Sequence, residues 1–162
     1  MKNSSLQLED FFIGDLSLNP TKGPFTGSGQ IKVDVKLDYK RNESDKQSWM
    51  VELHISFKAG QPEPISYEGH IEIIGYFTVG DATMPEDKQA DIVAVNGPSI
   101  LYSSARELIA MLTGHGRNGR LILPSVSFID HRISLPPSKE SSTTKSEESG
   151  KLINTARARS RT

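Results

Sequence analysis

The sequence predicts an α+β domain in which helices pack on one face of an antiparallel sheet. Residues 31–39 and 49–57 alternate apolar and polar side chains, which is typical of half-buried antiparallel strands. Parallel strands, covered on both faces, have continuous apolar runs instead. After residue 83 the apolar period lengthens to that of a helix. Strands followed by helices give the α+β class.

The first strand is expected within Leu6–Leu18. Simple alternation puts five apolar residues on one face and two on the other: Leu6, Leu8, Phe12, Leu16 and Leu18 against Phe11 and Ile13. A long Gly/Pro loop that contains Phe25 follows. The second and third strands, Ile31–Tyr39 and Trp49–Phe57, have a polar connector with no helical pattern, which predicts a hairpin.

The fourth strand is expected at Tyr67–Val79. Ile74 and Tyr76 break its alternation, which indicates that both faces of its second half are covered. Gly75 in the middle of the strand predicts a bulge or a close approach of another backbone.

Two helices are predicted next. Thr83-Met84-Pro85-Glu86 has capping-box spacing, and a short helix over Pro85–Val95 follows. Asn96-Gly97-Pro98 is expected to end it and to start a longer helix that stops near Gly114. The longer helix has one apolar stripe, formed by Leu101, Ala105, Leu108, Ile109 and Leu112. Residues 121–128 are apolar and extended.

The composition divides the chain into a folded domain, 1–135, and a tail, 136–162. The tail holds ten Ser or Thr residues and few large apolar side chains, which predicts disorder. Its six basic and three acidic residues give +3, which leaves −4 for the domain because the whole chain is −1. The Arg-rich end at 157–161 could meet an anionic surface, and a solvated tail is the simpler interpretation.

Composition also excludes several classes of function. The chain has no cysteine, which excludes a disulfide scaffold, a Cys zinc site and a cysteine nucleophile, and fits a reducing cytoplasm. Its near-neutral charge disfavours general nucleic-acid binding. No apolar stretch has the length of a signal peptide or a membrane span.

No motif predicts catalysis, a metal site or a cofactor. Residues 114–119 satisfy G-x-G-x-x-G, but a helix precedes the motif and an extended segment follows, so it is interpreted as a helix-ending turn. The four histidines have no metal-ligand spacing. Glu52, Glu68 and Glu72 lie on the expected wet faces of strands, where solvation explains them.

The order of several short segments resembles the SecB export chaperones. The central segment runs from Asn96 to Glu107 and contains Pro-Ser-Ile-Leu-Tyr and Ala-Arg-Glu, like the family's main helix. Gly75-Tyr76-Phe77, the Leu-rich segment 121–128 and Gly14–Pro20 resemble further family segments in the same order. The matches cover residues 14–128.

This resemblance implies a four-stranded Greek-key sheet and a homotetramer built as a dimer of dimers. It further implies a cytoplasmic, ATP-independent holdase that binds unfolded precursors for protein export and passes them to SecA. The alternative is a dedicated chaperone of an antitoxin or another single partner. No enzyme activity, cofactor, metal, nucleic-acid binding or membrane insertion is implied.

The resemblance and the apolar pattern together give three sets of candidate site residues. Peptide binding is expected at Leu16, Leu18, Phe25, Leu121, Leu123, Val126 and Phe128. Docking of SecA is expected at Asp15, Glu68 and His70. The oligomer interface is expected at Leu101, Leu108 and Leu112, although the core is an alternative for all of the apolar positions.

Overall fold

A computed structural model describes residues 4–22, 30–59 and 65–133. The predictions for Phe25 and for the tail 136–162 therefore lie outside the described residues. The elements are four strands and a helix: β1 (Leu6–Pro20), β2 (Ile31–Arg41), β3 (Ser48–Ala59), β4 (Tyr67–Val79) and α1 (Glu86–Gly114).

The four strands form one antiparallel sheet in the order β1-β4-β3-β2. Strands β2, β3 and β4 follow one another, whereas β1 pairs with β4 at the far side, which is the Greek-key arrangement. The predicted α+β class and Greek-key sheet are confirmed. Strands β1 and β2 are the two edges.

The core lies between one face of the sheet, here called the helix face, and α1. Alternate residues of β3 and β4 are buried, and Val51, Leu53 and Ile73 among them are at most 1% exposed. The helix crosses close above Gly75, where a Cβ atom would come within 2.7 Å of a Leu101 methyl group. The contacts at Gly75 are with the side chains of Leu101 and Phe77 rather than with the predicted second backbone, and a larger residue would have to displace them. The opposite face of the sheet, which the helix does not cover, is here called the open face.

The predicted facing of β1 is wrong in its middle because the strand contains two irregularities. The register with β4 shifts between Leu8 and Asp10 and again between Ile13 and Asp15. Each extra residue exchanges the two faces for the residues that follow. Phe12 therefore lies opposite Ile74 on the open face, while Phe11 and Ile13 lie on the helix face.

The prediction of two helices is also wrong, because α1 runs without a break through Asn96-Gly97-Pro98. A proline lacks the N–H that would bond to the carbonyl four residues earlier, here that of Ala94. The hydroxyl of Tyr39 on β2 donates to that carbonyl at 3.4 Å. Gly97 meanwhile faces Val51, and a Cβ there would lie 3.1 Å from a Val51 methyl group. Tertiary contacts thus accommodate both residues.

The start of α1 lacks the predicted cap, whereas its end lies close to the predicted position. At the start, Pro85 occupies the N-cap without a side-chain hydrogen bond, and the Thr83 hydroxyl donates to Asp81 at 2.6 Å. The predicted capping box is therefore absent. At the end, the helix stops near Gly114, although the C-cap is His115 rather than the expected Gly114, and the glycine motif forms the turn that follows.

The glycine motif fastens the end of the helix to the sheet. The Asn118 side-chain amide donates to the carbonyls of Thr21 and Ser66 at 3.1 and 3.0 Å. The Asn118 backbone N–H donates to the Tyr67 hydroxyl at 3.3 Å. These bonds give the glycine motif a structural role as a turn, which supports its interpretation as a helix-ending turn rather than a nucleotide-binding motif.

Residues 121–128 then run back along the helix without forming a strand. The Arg106 side chain donates to the Leu123 carbonyl at 2.7 Å, and the Tyr102 hydroxyl donates to that of Pro124 at 2.7 Å. The segment ends with Phe128 packed edge-on against Tyr102, with ring centroids 6.0 Å apart.

Candidate functional site

The described residues include several large apolar side chains that are exposed. Nine large ones are at least 39% exposed: Phe11, Phe12, Ile13, Tyr76, Met111, Leu112, Ile122, Val126 and Ile129. Scattered single apolar residues are normal on a protein surface, but three consecutive ones on an edge strand are not. The surface therefore has apolar area available for binding other chains.

The candidate peptide-binding residues divide into available and buried positions. Leu16 and Leu18 lie half-buried on the helix face of β1, and Val126 is 39% exposed. Three others are core side chains with exposures of at most 4%: Leu121, Leu123 and Phe128. These three could contact a peptide only if the segment 121–128 moved.

The candidate interface residues on α1 also differ in exposure. Leu101 is fully buried above Gly75, so its role is in the core of its own chain rather than at an interface. Leu108 is half-buried, and Leu112 is 42% exposed next to Met111, which is 55% exposed. The accessible apolar part of the helix is therefore its last two turns.

A second apolar stripe lies on β2, where sequence reasoning named no site residue. Five side chains of this strand face the core but are only partly covered: Ile31, Val33, Val35, Leu37 and Tyr39. Since β2 is an edge strand, its outer backbone groups have no strand partner among the described residues. The stripe combines apolar side chains with accessible backbone donors and acceptors.

The candidate docking residues do come together on the open face. Asp15, Glu68 and His70 lie on the neighbouring strands β1 and β4, and His70 Nε2 is 2.7 Å from Asp15 Oδ2. This hydrogen bond is the main cause that lowers the pKa of Asp15, followed by the bond from the Leu16 backbone N–H. The carboxylate is therefore ionised and oriented at neutral pH.

A second histidine adjoins this pair, which the spacing of the histidines along the chain does not predict. The rings of His54 and His70 stack with centroids 5.8 Å apart, and His54 Nδ1 lies 3.6 Å from Glu72 Oε2. Only the strand register brings these side chains together, because Ser56 lies opposite His70 and Glu72 opposite His54. Within the described residues, no group of three or more ligating side chains is arranged to hold a metal.

The other end of the open face is apolar. Phe12 contacts Tyr76 with ring centroids 6.1 Å apart, and Ile74 and Met50 lie beside them on β4 and β3. These four residues are here called the open-face patch. The patch borders a hollow of about 410 Å³ whose lining includes Lys40, Asn42, Ser48 and Thr78.

The comparisons with known proteins agree with this architecture. The family model of preprotein translocase subunit SecB matches residues 1–131. The chain belongs to the SecB family. The family predicted from the short segments is confirmed, and with it the SecB-like chaperone class.

The individual relatives are distant in sequence, but each match covers most of the relative's length. The protein-export protein SecB of Psychrobacter arcticus is 29% identical over 124 residues, covering 76% of this chain and 82% of the relative. The SecB of Psychrobacter cryohalolentis is also 29% identical, with 76% and 81% covered. Identity at this level leaves the surface residues of this SecB-like chain free to differ from those of its relatives.

A solved structure supports the fold independently of sequence. A SecB-like chaperone of Mycobacterium tuberculosis, in complex with a peptide from an antitoxin, aligns with a TM-score of 0.59 at 16% identity. The alignment covers 76% of this chain and 91% of the Mycobacterium tuberculosis chaperone. Among the described residues, no helix is long and apolar enough to cross a membrane.

Proposed function

We propose that this SecB-like chain is an ATP-independent holdase that binds unfolded or precursor polypeptides for protein export. The observation that carries the proposal is the half-covered apolar stripe on the edge strand β2. Unfolded clients expose apolar side chains and unpaired backbone groups together. An edge strand with an apolar face can bind both without reading a particular sequence.

The client site is proposed to include the β2 stripe, Leu16, Leu18 and Val126. All of these are at least partly exposed and lie on or beside the helix face. Phe25 belongs to the proposal on the sequence resemblance alone. Leu121, Leu123 and Phe128 would join the site after displacement of the segment 121–128.

Two neighbouring residues of β2 offer a matched test of the client site. Val35 faces the helix side and Lys36 faces the open side of the same strand. Val35→Ser should weaken binding of a reduced, unfolded model protein by about three- to tenfold, because apolar contact with the client is lost. Lys36→Ser should change the affinity by less than about twofold. Fluorescence anisotropy of the labelled client measures both.

Equal effects of the two substitutions would contradict the assignment of the site to the helix face. Since Val35 also touches the core, a denaturant titration of each variant must accompany the binding measurement. Val33→Ser, one step along the same face, provides a second substitution should Val35→Ser fail to fold.

A homotetramer built as a dimer of dimers is proposed as the working state. The exposed apolar residues at the end of α1 and on the β1 edge, Met111, Leu112, Phe11 and Ile13, support burial between copies. Native mass spectrometry should give four chain masses. A monomer at micromolar concentration would contradict this proposal.

SecA is proposed as the receiving partner, docking at Asp15, Glu68 and His70. The acidic side chains that β1 and β4 place on the open face support this, since a basic partner would find complementary charge there. The proposal further includes a cytoplasmic location, consistent with the absence of cysteine, and no catalytic activity of the chain itself.

A chaperone with this fold could instead be dedicated to one partner. The two hypotheses are distinguished by using the full chain to capture its bound proteins from the source cell. A broad mixture of precursors supports export service, whereas one dominant protein, such as an antitoxin, supports the alternative.

A further inference from the structure

Carboxylates surround the open-face patch on two sides. Glu9 and Asp10 on β1 lie at one end, and Asp15, Glu72 and Glu52 lie at the other. On β1 and β4, the open-face positions that the structure describes include no lysine or arginine, whereas Lys40 on β2 lies opposite Met50 at the patch's third side. The ligand that fits is a short peptide with an aliphatic centre and basic flanks.

The chain itself contains such a peptide, in the tail beyond the described residues. Lys151-Leu152-Ile153 is followed by three arginines, Arg157, Arg159 and Arg161. From residue 151 to the end there are four basic residues and no acidic one. Leu152 and Ile153 are the only large apolar residues after Leu135. This segment, 151–161, is here called the tail peptide.

The place where the described chain ends is close enough to the patch for the tail peptide to reach it. Arg132 contacts Asp91 in the second turn of α1, with Nε 3.6 Å from Oδ1. About 8 Å along the helix, Glu86 pairs with Arg41 at 3.1 Å, and Arg41 lines the hollow beside the patch. Seventeen residues, 134–150, separate Ile133 from Lys151. Such a connector spans about 60 Å when extended and roughly 23 Å on average.

We propose that the tail peptide docks on the open face of its own chain, with Leu152 and Ile153 on the open-face patch and the basic residues against its carboxylates. The docked tail covers Phe12 and Tyr76, the two exposed aromatic residues of this face. It also occupies the acidic strands β1 and β4. A basic partner must therefore displace the tail before it can bind there, so the tail is a built-in competitor.

Disulfide trapping can test this directly, because the chain has no cysteine of its own. The test pair is Thr78→Cys, beside the hollow, with Ala156→Cys in the tail peptide. The control pair is Ser103→Cys with Ala156→Cys, since Ser103 is exposed on α1 rather than on the open face. The test pair should form the intramolecular disulfide at least about tenfold faster than the control pair. Non-reducing electrophoresis after mild oxidation measures the rates.

Two further changes examine the physical basis of docking. Arg157→Glu, Arg159→Glu and Arg161→Glu together should remove the rate advantage, and so should 1 M salt, because the attraction is between exposed charges. Lys139→Glu with Lys145→Glu, in the tail but outside the tail peptide, should leave the rate within about twofold.

Equal rates for the test and control pairs would overturn the proposal, and so would a rate advantage that survives the arginine substitutions. Disulfides only between two chains would also overturn docking on the chain's own face. If Thr78→Cys prevents folding, Ser48→Cys, directly opposite Thr78 on β3, lines the same hollow and replaces it in the test pair. Client binding is measured separately, so failure here leaves the proposed holdase activity standing.

Discussion

The hydroxyl of Tyr39 compensates for a proline inside the helix. Pro98 provides no N–H for the Ala94 carbonyl, and the Tyr39 hydroxyl donates to it instead. Tyr39→Phe should therefore lower the free energy of unfolding by about 0.5–1.5 kcal/mol. Urea denaturation followed by circular dichroism measures the change.

A double-mutant cycle tests the cause of that loss. In a Pro98→Ala background the helix supplies its own donor to Ala94, so Tyr39→Phe should have a cost close to zero. The same cost in both backgrounds would show that the hydroxyl acts in some other way.

Burial of the Tyr39 hydroxyl should also make the stability of the protein depend on pH in the alkaline range. Burial raises the pKa of Tyr39 to about 12, above its usual value of 10.0. The folded state therefore keeps the proton longer than the unfolded state, so stability is complete below about pH 10 and falls as the pH rises toward 12. Tyr39→Phe should remove this component, which a comparison of urea midpoints at pH 9 and pH 11 measures. Parallel losses in both proteins would exclude Tyr39 as the source.

At the scale of elements, the turn after α1 depends on a close contact between a glycine and a tyrosine. A Cβ atom at Gly116 would lie 1.9 Å from the Tyr67 hydroxyl oxygen. Gly116→Ala should therefore destabilise the protein by about 1–3 kcal/mol, through overpacking at the junction of helix and sheet. Thermal unfolding by calorimetry measures the change.

Gly114 in the same motif is the matched control. It is the last helical residue, and the nearest atom to its Cβ position is at 4.0 Å. Gly114→Ala should stabilise the protein by about 0.5–1 kcal/mol, because alanine favours the helix. Tyr67→Phe should reduce the penalty of Gly116→Ala. Equal destabilisation by both alanines would contradict the contact.

The sequence predicted the elements well where local pattern and tertiary structure agree. Alternation located β2 and β3 to within a few residues, because one face of each strand is buried and the other is wet. The bounds of β4 were also predicted, but the expectation that both faces of its second half are covered was wrong, because Tyr76 is exposed on the open face. Alternation failed in β1, where two register shifts move Phe12 to the open face. It also failed at Pro98, because a side chain from another element satisfies the helix. Neither the register shifts in β1 nor the hydrogen bond from another strand produces a local pattern in the sequence.

For the whole molecule, the family could be inferred from ordered short segments, but the positions of several site residues could not. The sequence resemblance suggests Leu121 and Leu123 as peptide-binding residues, but both are buried because the segment that contains them packs back along α1. The paired histidines and the open-face patch depend on which strands are neighbours. Strand order is set by long-range pairing, which single-sequence periodicity does not encode.

The apolar surface of this SecB-like chain is proposed to hold unfolded polypeptides without nucleotide. The most direct measurement is light scattering of a reduced, aggregating model protein with increasing amounts of the full chain and no ATP. We expect progressive suppression that is complete near one proposed tetramer for each client molecule. Unchanged aggregation at a several-fold molar excess of tetramer would contradict it.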